Sequence, residues 1–188
     1  MRGEGLFSTF YPDRWVDSAY DIDYEGLYER GFRGVIYDID NTLVPHGAPA
    51  DERAVALFER LRAIGLSACL ISNNQVPRVK PFADAVGASF VADAHKPSTR
   101  NYLQACRIMG IRKEEAFFVG DQLFTDVWGA KRAGIFNILV KPIHPKEEIQ
   151  IVLKRRLEWI VLHFYKKHAP AVEDVCVMQG SLNRASGQ

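Results

Sequence analysis

The stretch RGVIYDIDNT, residues 33–42, places a nearly continuous apolar run, Val35-Ile36-Tyr37, directly before two acids, Asp38 and Asp40. Residues 33–39 read as a strand, apolar on both faces, as in a sheet covered on both sides. Strand period would set Asp38 and Asp40 on one face at the strand's end. Two neighbouring carboxylates repel one another, and one of them holds its proton unless a cation neutralises the pair. Magnesium is such a cation: it takes oxygen ligands and keeps waters that a phosphate can replace. A carboxylate can also attack phosphorus to form an acyl phosphate. A second one can then protonate the leaving oxygen and later activate water. The plainer alternative is a strand that ends in solvated acids capping a turn.

Downstream, short apolar runs alternate with helical patterns. Pro49 and Asp51 open a helix carrying Val55, Leu57, Phe58 and Leu61 that stops near Gly65. SACLIS (67–72) is the second strand, and the helix after Pro77 carries Val79, Phe82, Ala83 and Val86 before Gly87. ASFV (88–91) is the third strand. Ser98 caps a helix through Met109. AFFVG (116–120) is the fourth strand, a helix around Val127 to Ala133 follows, and IFNILV (135–140) is the fifth. The pattern predicts an α/β fold: a five-stranded parallel sheet with helices on both faces. The first 20 residues are expected to wrap the surface, and Asp23–Arg30 to form a short helix. Residues 145–167 read as one long final helix and 169–188 as a flexible tail, giving a single domain over 1–168 with its core at 33–140.

A length of 188 residues fits one domain. A formal charge of +1 argues against binding nucleic acid by phosphate neutralisation. Three cysteines, Cys69, Cys106 and Cys176, without CxxC spacing, argue against a disulfide framework or zinc site and fit a reducing, cytoplasmic setting. Cys69 and Cys106 read as small core residues. The N-terminus has no signal-peptide run, and no apolar stretch approaches the ~18–20 residues that span a bilayer.

Parallel sheets bind ligands beyond the carboxyl ends of their strands. The polar clusters fall there. Asp38–Asn41 follows the first strand, Ser72–Asn74 the second, Lys96 the third, and Gly120–Asp126 the fourth. Ser72 offers a hydroxyl, Asn73 a backbone amide, Lys96 a positive charge, and Asp121 and Asp126 further carboxylates. Phosphoryl transfer needs mainly such positioning and charge neutralisation.

These four segments together resemble the haloacid dehalogenase (HAD) superfamily. DIDNT (38–42) matches its first motif, DxDx[TV], LISNN (70–74) resembles the second, Lys96-Pro97 the third, and GDQLFTD (120–126) the fourth. The resemblance covers roughly residues 33–140 and implies a three-layer Rossmann-like fold. It implies Asp38 as nucleophile and metal ligand, and Asp40 as general acid and base with its carbonyl on the metal. Thr42 would brace the loop, Ser72, Asn73 and Lys96 would hold the phosphoryl group, and Asp121 and Asp126 would complete a Mg²⁺ site. A second aspartate in the first motif favours phosphatases over dehalogenases.

Neither the gap from Asp40 to Ser72 nor that from Ser72 to Lys96 has room for a cap domain, so an open site is expected, or one closed by a second subunit. GDQLFTDVWGAKRAG (120–134), with IDNTLV (39–44) and the terminal helix, is similar to the YqeG-type phosphatases of subfamily IIIA. Their kinship with phosphatidylglycerophosphate phosphatases implies that lipid head group as a candidate substrate. A sugar phosphate or nucleotide is the alternative, and a non-catalytic binding protein on the same scaffold the third reading. The terminal helix pairs an apolar surface with Lys154, Arg155, Arg156, Lys166 and Lys167, which suits either packing on the sheet or peripheral contact with anionic lipid. His46, Arg78, Gln122 and Lys141 lie on loops at the same end and are candidates to touch a leaving group.

Overall fold

The computed structural model describes residues 8–144, 158, 159, 161–163 and 165. Six parallel strands lie in the order β1-β6-β5-β2-β3-β4. In chain order the elements are β1 (Arg14–Val16), α1 (Tyr24–Glu29), β2 (Gly34–Tyr37), α2 (Glu52–Ile64), β3 (Ser67–Ile71), α3 (Val76–Val86), β4 (Ser89–Val91), α4 (Thr99–Met109), β5 (Ala116–Gly120), α5 (Trp128–Ala133) and β6 (Phe136–Val140). A π-helical turn, Leu123–Val127, leads directly into α5.

Local chemistry sets the boundaries. The Asp51 carboxylate accepts from the Ala54 amide to start α2, and Gly65, at φ 95°, ends it in the left-handed region. The four residues of β2 are all buried and alternate between two layers. Val35 and Tyr37 pack with Leu57, Phe58, Leu61, Val79 and Phe82 of α2 and α3. Ile36 faces the other way, with Cys69, Phe118, Tyr102, Cys106 and Ala130. Burial pushes the Cys69 thiol up to about 12 and that of Cys106 to about 11, as inert core thiols require.

The sheet has six strands, not the five expected. The extra one lies in the N-terminal stretch expected only to wrap the surface. Arg14, Trp15 and Val16 pair with Ile138, Leu139 and Val140 at the sheet edge. Three residues flanked by Asp13 and Asp17 give no periodic signal, so pairing, not pattern, makes this strand. Its lock is polar. Asn137, fully buried within β6, donates from its amide side chain to the Asp13 carboxylate at 2.6 Å and from its backbone at 3.0 Å. Its side-chain oxygen accepts from the Asp13 backbone at 3.2 Å. A buried asparagine in a strand is costly unless its groups are satisfied, and this segment satisfies them.

Between Asp40 and Ser72 the chain forms α2 and β3, and between Ser72 and Lys96 it forms α3 and β4, with no cap domain in either gap. Residues 158, 159, 161–163 and 165 are helical. The rest of the expected 145–167 helix, the 169–188 tail and Cys176 lie outside the described residues.

Candidate active site

The four polar clusters meet at the carboxyl edge of β2, β3, β4 and β5. β2 ends at Tyr37, and the Asp38 amide continues its ladder by donating to the Val119 carbonyl at 3.0 Å. The chain then folds into a tight turn. Asn41 sits at φ 64° and donates to the Val44 carbonyl, while Leu43 donates back to Ile39. Because the strand has already ended, strand period does not govern Asp38 and Asp40. Both line one pocket of about 170 Å³, but each carboxylate has its own partners.

Asp38, Asp121 and Asp126 are buried, and one carboxylate oxygen from each lies within 4.8 Å of the others. The Lys96 ammonium, also buried, donates to Asp38 Oδ1 at 2.5 Å and to Asp126 Oδ1 at 2.7 Å. Two of the three clustered carboxylates therefore share one ammonium. Burial pushes the Asp38 carboxyl up to about 7, with Lys96 opposing the rise and Asp126 and Asp40 adding to it. Burial works against the Lys96 charge, but Asp126 and Asp38 outweigh it and hold the ammonium above the ordinary lysine range. An all-oxygen, electron-rich, buried donor set of this kind fits a hard divalent cation such as magnesium.

Local structure holds each member. Thr42, buried, sets its hydroxyl 3.4 Å from Asp38 Oδ2; it braces the loop and lies outside the pocket lining. Ser72 lines the pocket, and its hydroxyl oxygen accepts from the Asn74 amide at 3.1 Å. Asn73 lines it too, but its side chain has a role beyond the amide expected: its oxygen accepts from the Lys96 backbone N–H at 2.6 Å. The loop carrying Lys96 is thereby tied to the loop carrying Ser72. Asp121 and Asp126 sit behind the pocket lining. The π-helical turn swings the Asp126 carboxylate back, so that Oδ2 accepts from the Gln122 amide at 3.1 Å. A Cβ on Gly120 would stand 2.6 Å from that same oxygen, so a larger residue there must displace the carboxylate.

Asp40 is clamped separately. Its Oδ1 accepts from Arg78 and from the Gly47 amide, each at 2.8 Å, and its Oδ2 accepts from Asn74 at 2.7 Å. Arg78 also donates to the Ala48 carbonyl at 2.9 Å, and His46 Nδ1 lies 4.0 Å from Asp40. Of the four flanking candidates, His46 and Gln122 line the pocket and Arg78 reaches it through Asp40. Lys141 pairs with Asp17 at 2.6 Å, away from the lining. The clamp roles of Asn74 and Arg78 were not evident in the sequence. Asn74 had a signal, as the last residue of LISNN; Arg78, expected on a loop as a leaving-group contact, instead lies in the first turn of α3 and reaches Asp40.

A model of the haloacid dehalogenase-like hydrolases matches residues 48–134. The chain is 36% identical over 163 residues to the probable phosphatase YqeG of Bacillus subtilis, covering 86% of this chain and 95% of that protein. The chain belongs to the YqeG-type haloacid dehalogenase-like hydrolases. It is also 29% identical over 152 residues to a phosphatidylglycerophosphate phosphatase of Arabidopsis thaliana, covering 75% of this chain and 44% of that protein. A HAD family hydrolase from Deinococcus radiodurans superposes with a TM-score of 0.52 at 17% identity, covering 66% of this chain and 88% of that one; this likeness is one of fold.

Proposed function

We propose that this HAD hydrolase is a magnesium-dependent phosphatase that cleaves a phosphate monoester through an aspartyl-phosphate on Asp38. The observation that carries the reading is the Lys96 ammonium bridging Asp38 and Asp126 beside Asp121. Asp38, Asp121, Asp126 and the Asp40 carbonyl would hold the cation, which when bound screens the nucleophile from the phosphate's negative charge. An Asp38 carboxylate oxygen attacks phosphorus, and the bond from phosphorus to the ester oxygen breaks. Asp40 gives its proton to that oxygen, and the alcohol departs. Asp40, now ionised, takes a proton from water as the water oxygen attacks the same phosphorus. The bond to Asp38 then breaks, releasing inorganic phosphate and restoring both carboxyl groups. Ser72 and Lys96 hold the non-bridging oxygens, and Thr42 and Asn73 keep Asp38 and Lys96 in place.

The pocket has room for a phosphoryl group, while a bulky leaving group would stay outside it. That supports a substrate presented at a surface, and phosphatidylglycerophosphate is the candidate suggested by the Arabidopsis relative. No helix among the described residues is long and apolar enough to cross a membrane. Peripheral contact is therefore the mode we propose, through the terminal helix, whose Trp159 is 68% exposed. The buried free thiols support a cytoplasmic site for it. A second copy covering the pocket is the alternative closure, read out by gel filtration.

The test is phosphate release with magnesium from phosphatidylglycerophosphate, sugar phosphates, nucleotides and an aryl phosphate. Turnover of the lipid is expected to exceed the rest and to vanish in Asp38→Asn. Activity persisting in that variant sinks the nucleophile assignment. Turnover of only the soluble esters sinks the lipid reading and leaves the phosphatase.

A further inference from the structure

The loop that carries Asp121 and Asp126 is held from two sides, and the outer hold comes from far along the chain. The helical run that starts at Leu123 and continues through α5 has Gln122 at its cap position, and the Gln122 side chain makes no capping bond. A helix start needs acceptors for its first amides. Two successive ones are served by carboxylates here: Gln122 N–H donates to Asp126 at 3.1 Å, and Leu123 N–H donates to Glu158 Oε1 at 2.8 Å. Glu158 is 5% exposed, an unusual place for a glutamate on a terminal helix. Its helix is seated by apolar contact, Val161 packing in one cluster with Leu123, Val127 and Leu139, and Tyr165 lying 5.4 Å from Tyr11 ring to ring.

We propose that Glu158 is a positioning residue for the acidic loop, capping the helix that begins at Leu123 so that Asp121 and Asp126 keep the spacing a divalent cation needs. The inference rests on reading those two aspartates as metal carboxylates. Without the cap, the buried Leu123 N–H would lose its acceptor, and the turn that holds Asp126 through the Gln122 amide would shift to find another. Asp126 would then be drawn out of the cluster. The terminal helix thus belongs to the metal site as well as to the fold.

Calorimetric titration of Mg²⁺ into metal-free full-length protein tests this without any turnover. Glu158→Ala should weaken binding about tenfold, the usual scale for removing a group that orients a metal ligand. Glu158→Asp keeps the charge but falls one methylene short and should weaken binding to a similar degree. Glu158→Gln keeps an acceptor oxygen in place and should bind within about threefold of wild type, since capping asks for an acceptor rather than a charge. Val86→Ala, a core truncation at the end of α3, controls for general destabilisation: its melting temperature should fall and its Mg²⁺ affinity should not. If Glu158→Ala does not fold, the contrast between Asp and Gln decides. Wild-type affinity in both Glu158→Ala and Glu158→Asp, or in Glu158→Asp alone if Ala fails, overturns the proposal. Absence of binding by the wild type overturns the metal reading and this inference with it.

Discussion

Lys96→Met is the most searching perturbation of the site. The replacement keeps an unbranched stem and removes the ammonium shared by Asp38 and Asp126. At an effective dielectric of about 20, each of those contacts is worth about 6 kcal/mol before the cost of desolvating the ammonium. Removing one partner of a buried pair typically costs about 3–5 kcal/mol net, because the remaining charge stays buried. The metal-free variant should lose about that much stability at pH 8 in urea unfolding. The loss should shrink with acid, and the sign follows from Asp38. Its carboxyl is already pushed up to about 7, above the ordinary 3.8, so between about pH 4 and 7 the folded protein binds more protons than the unfolded chain. This contribution to metal-free stability is fully present below that window and is lost as pH rises through about 7. Without Lys96 the carboxyl rises further and takes its proton more readily, which relieves part of the exposed repulsion. Mg²⁺ should restore stability at pH 8 far more than at pH 5.5, where it must displace a proton. An equal loss at both pH values, or none at either, would refute the idea that these charges form one coupled set.

Asp40→Asn should lower kcat by about 10²–10⁴-fold, the range of general acid–base catalysis, while leaving Mg²⁺ affinity near wild type; a parallel loss of metal binding would show that the side chain does more than move a proton. Gly120→Ala should weaken Mg²⁺ binding because its Cβ meets Asp126 at 2.6 Å, and wild-type affinity in calorimetry would show that the loop yields freely. Asn137→Ala removes three contacts to Asp13 only in part, since its backbone bond remains; about 1–3 kcal/mol should be lost in chemical denaturation, with hydrogen exchange accelerating first at Arg14–Val16. Unchanged exchange there would mean that the ladder alone holds β1.

The central layer was readable because its signals were redundant. AFFVG coincides with β5 residue for residue, and each polar cluster followed an apolar run that had no other use than a buried strand. Asp38, Ser72, Lys96, Asp121 and Asp126 all fell at the expected edge for that reason. What escaped the reading depends on contacts rather than pattern. β1 is too short to show a period and exists through its partner. Arg78 was expected on a loop, and its bond to Asp40 shows only once α3 is placed beside the site. Glu158 stands 35 residues from the amide it caps, and no spacing rule links the two. Strand period also gave the wrong account of Asp38 and Asp40, since a turn at Asn41 supplies the geometry instead.

β1 has a further consequence for how copies of this chain meet. A sheet border with unpaired amides and carbonyls invites strands from other molecules. Both borders here, β1 and β4, are only three residues long, and the five-residue β6 is shielded by the first of them. Cutting the chain after Asp17 would lay β6 bare, a five-residue, largely buried and mostly apolar segment. Light scattering on such a truncated protein should reveal growing particles at concentrations where the intact chain stays dispersed.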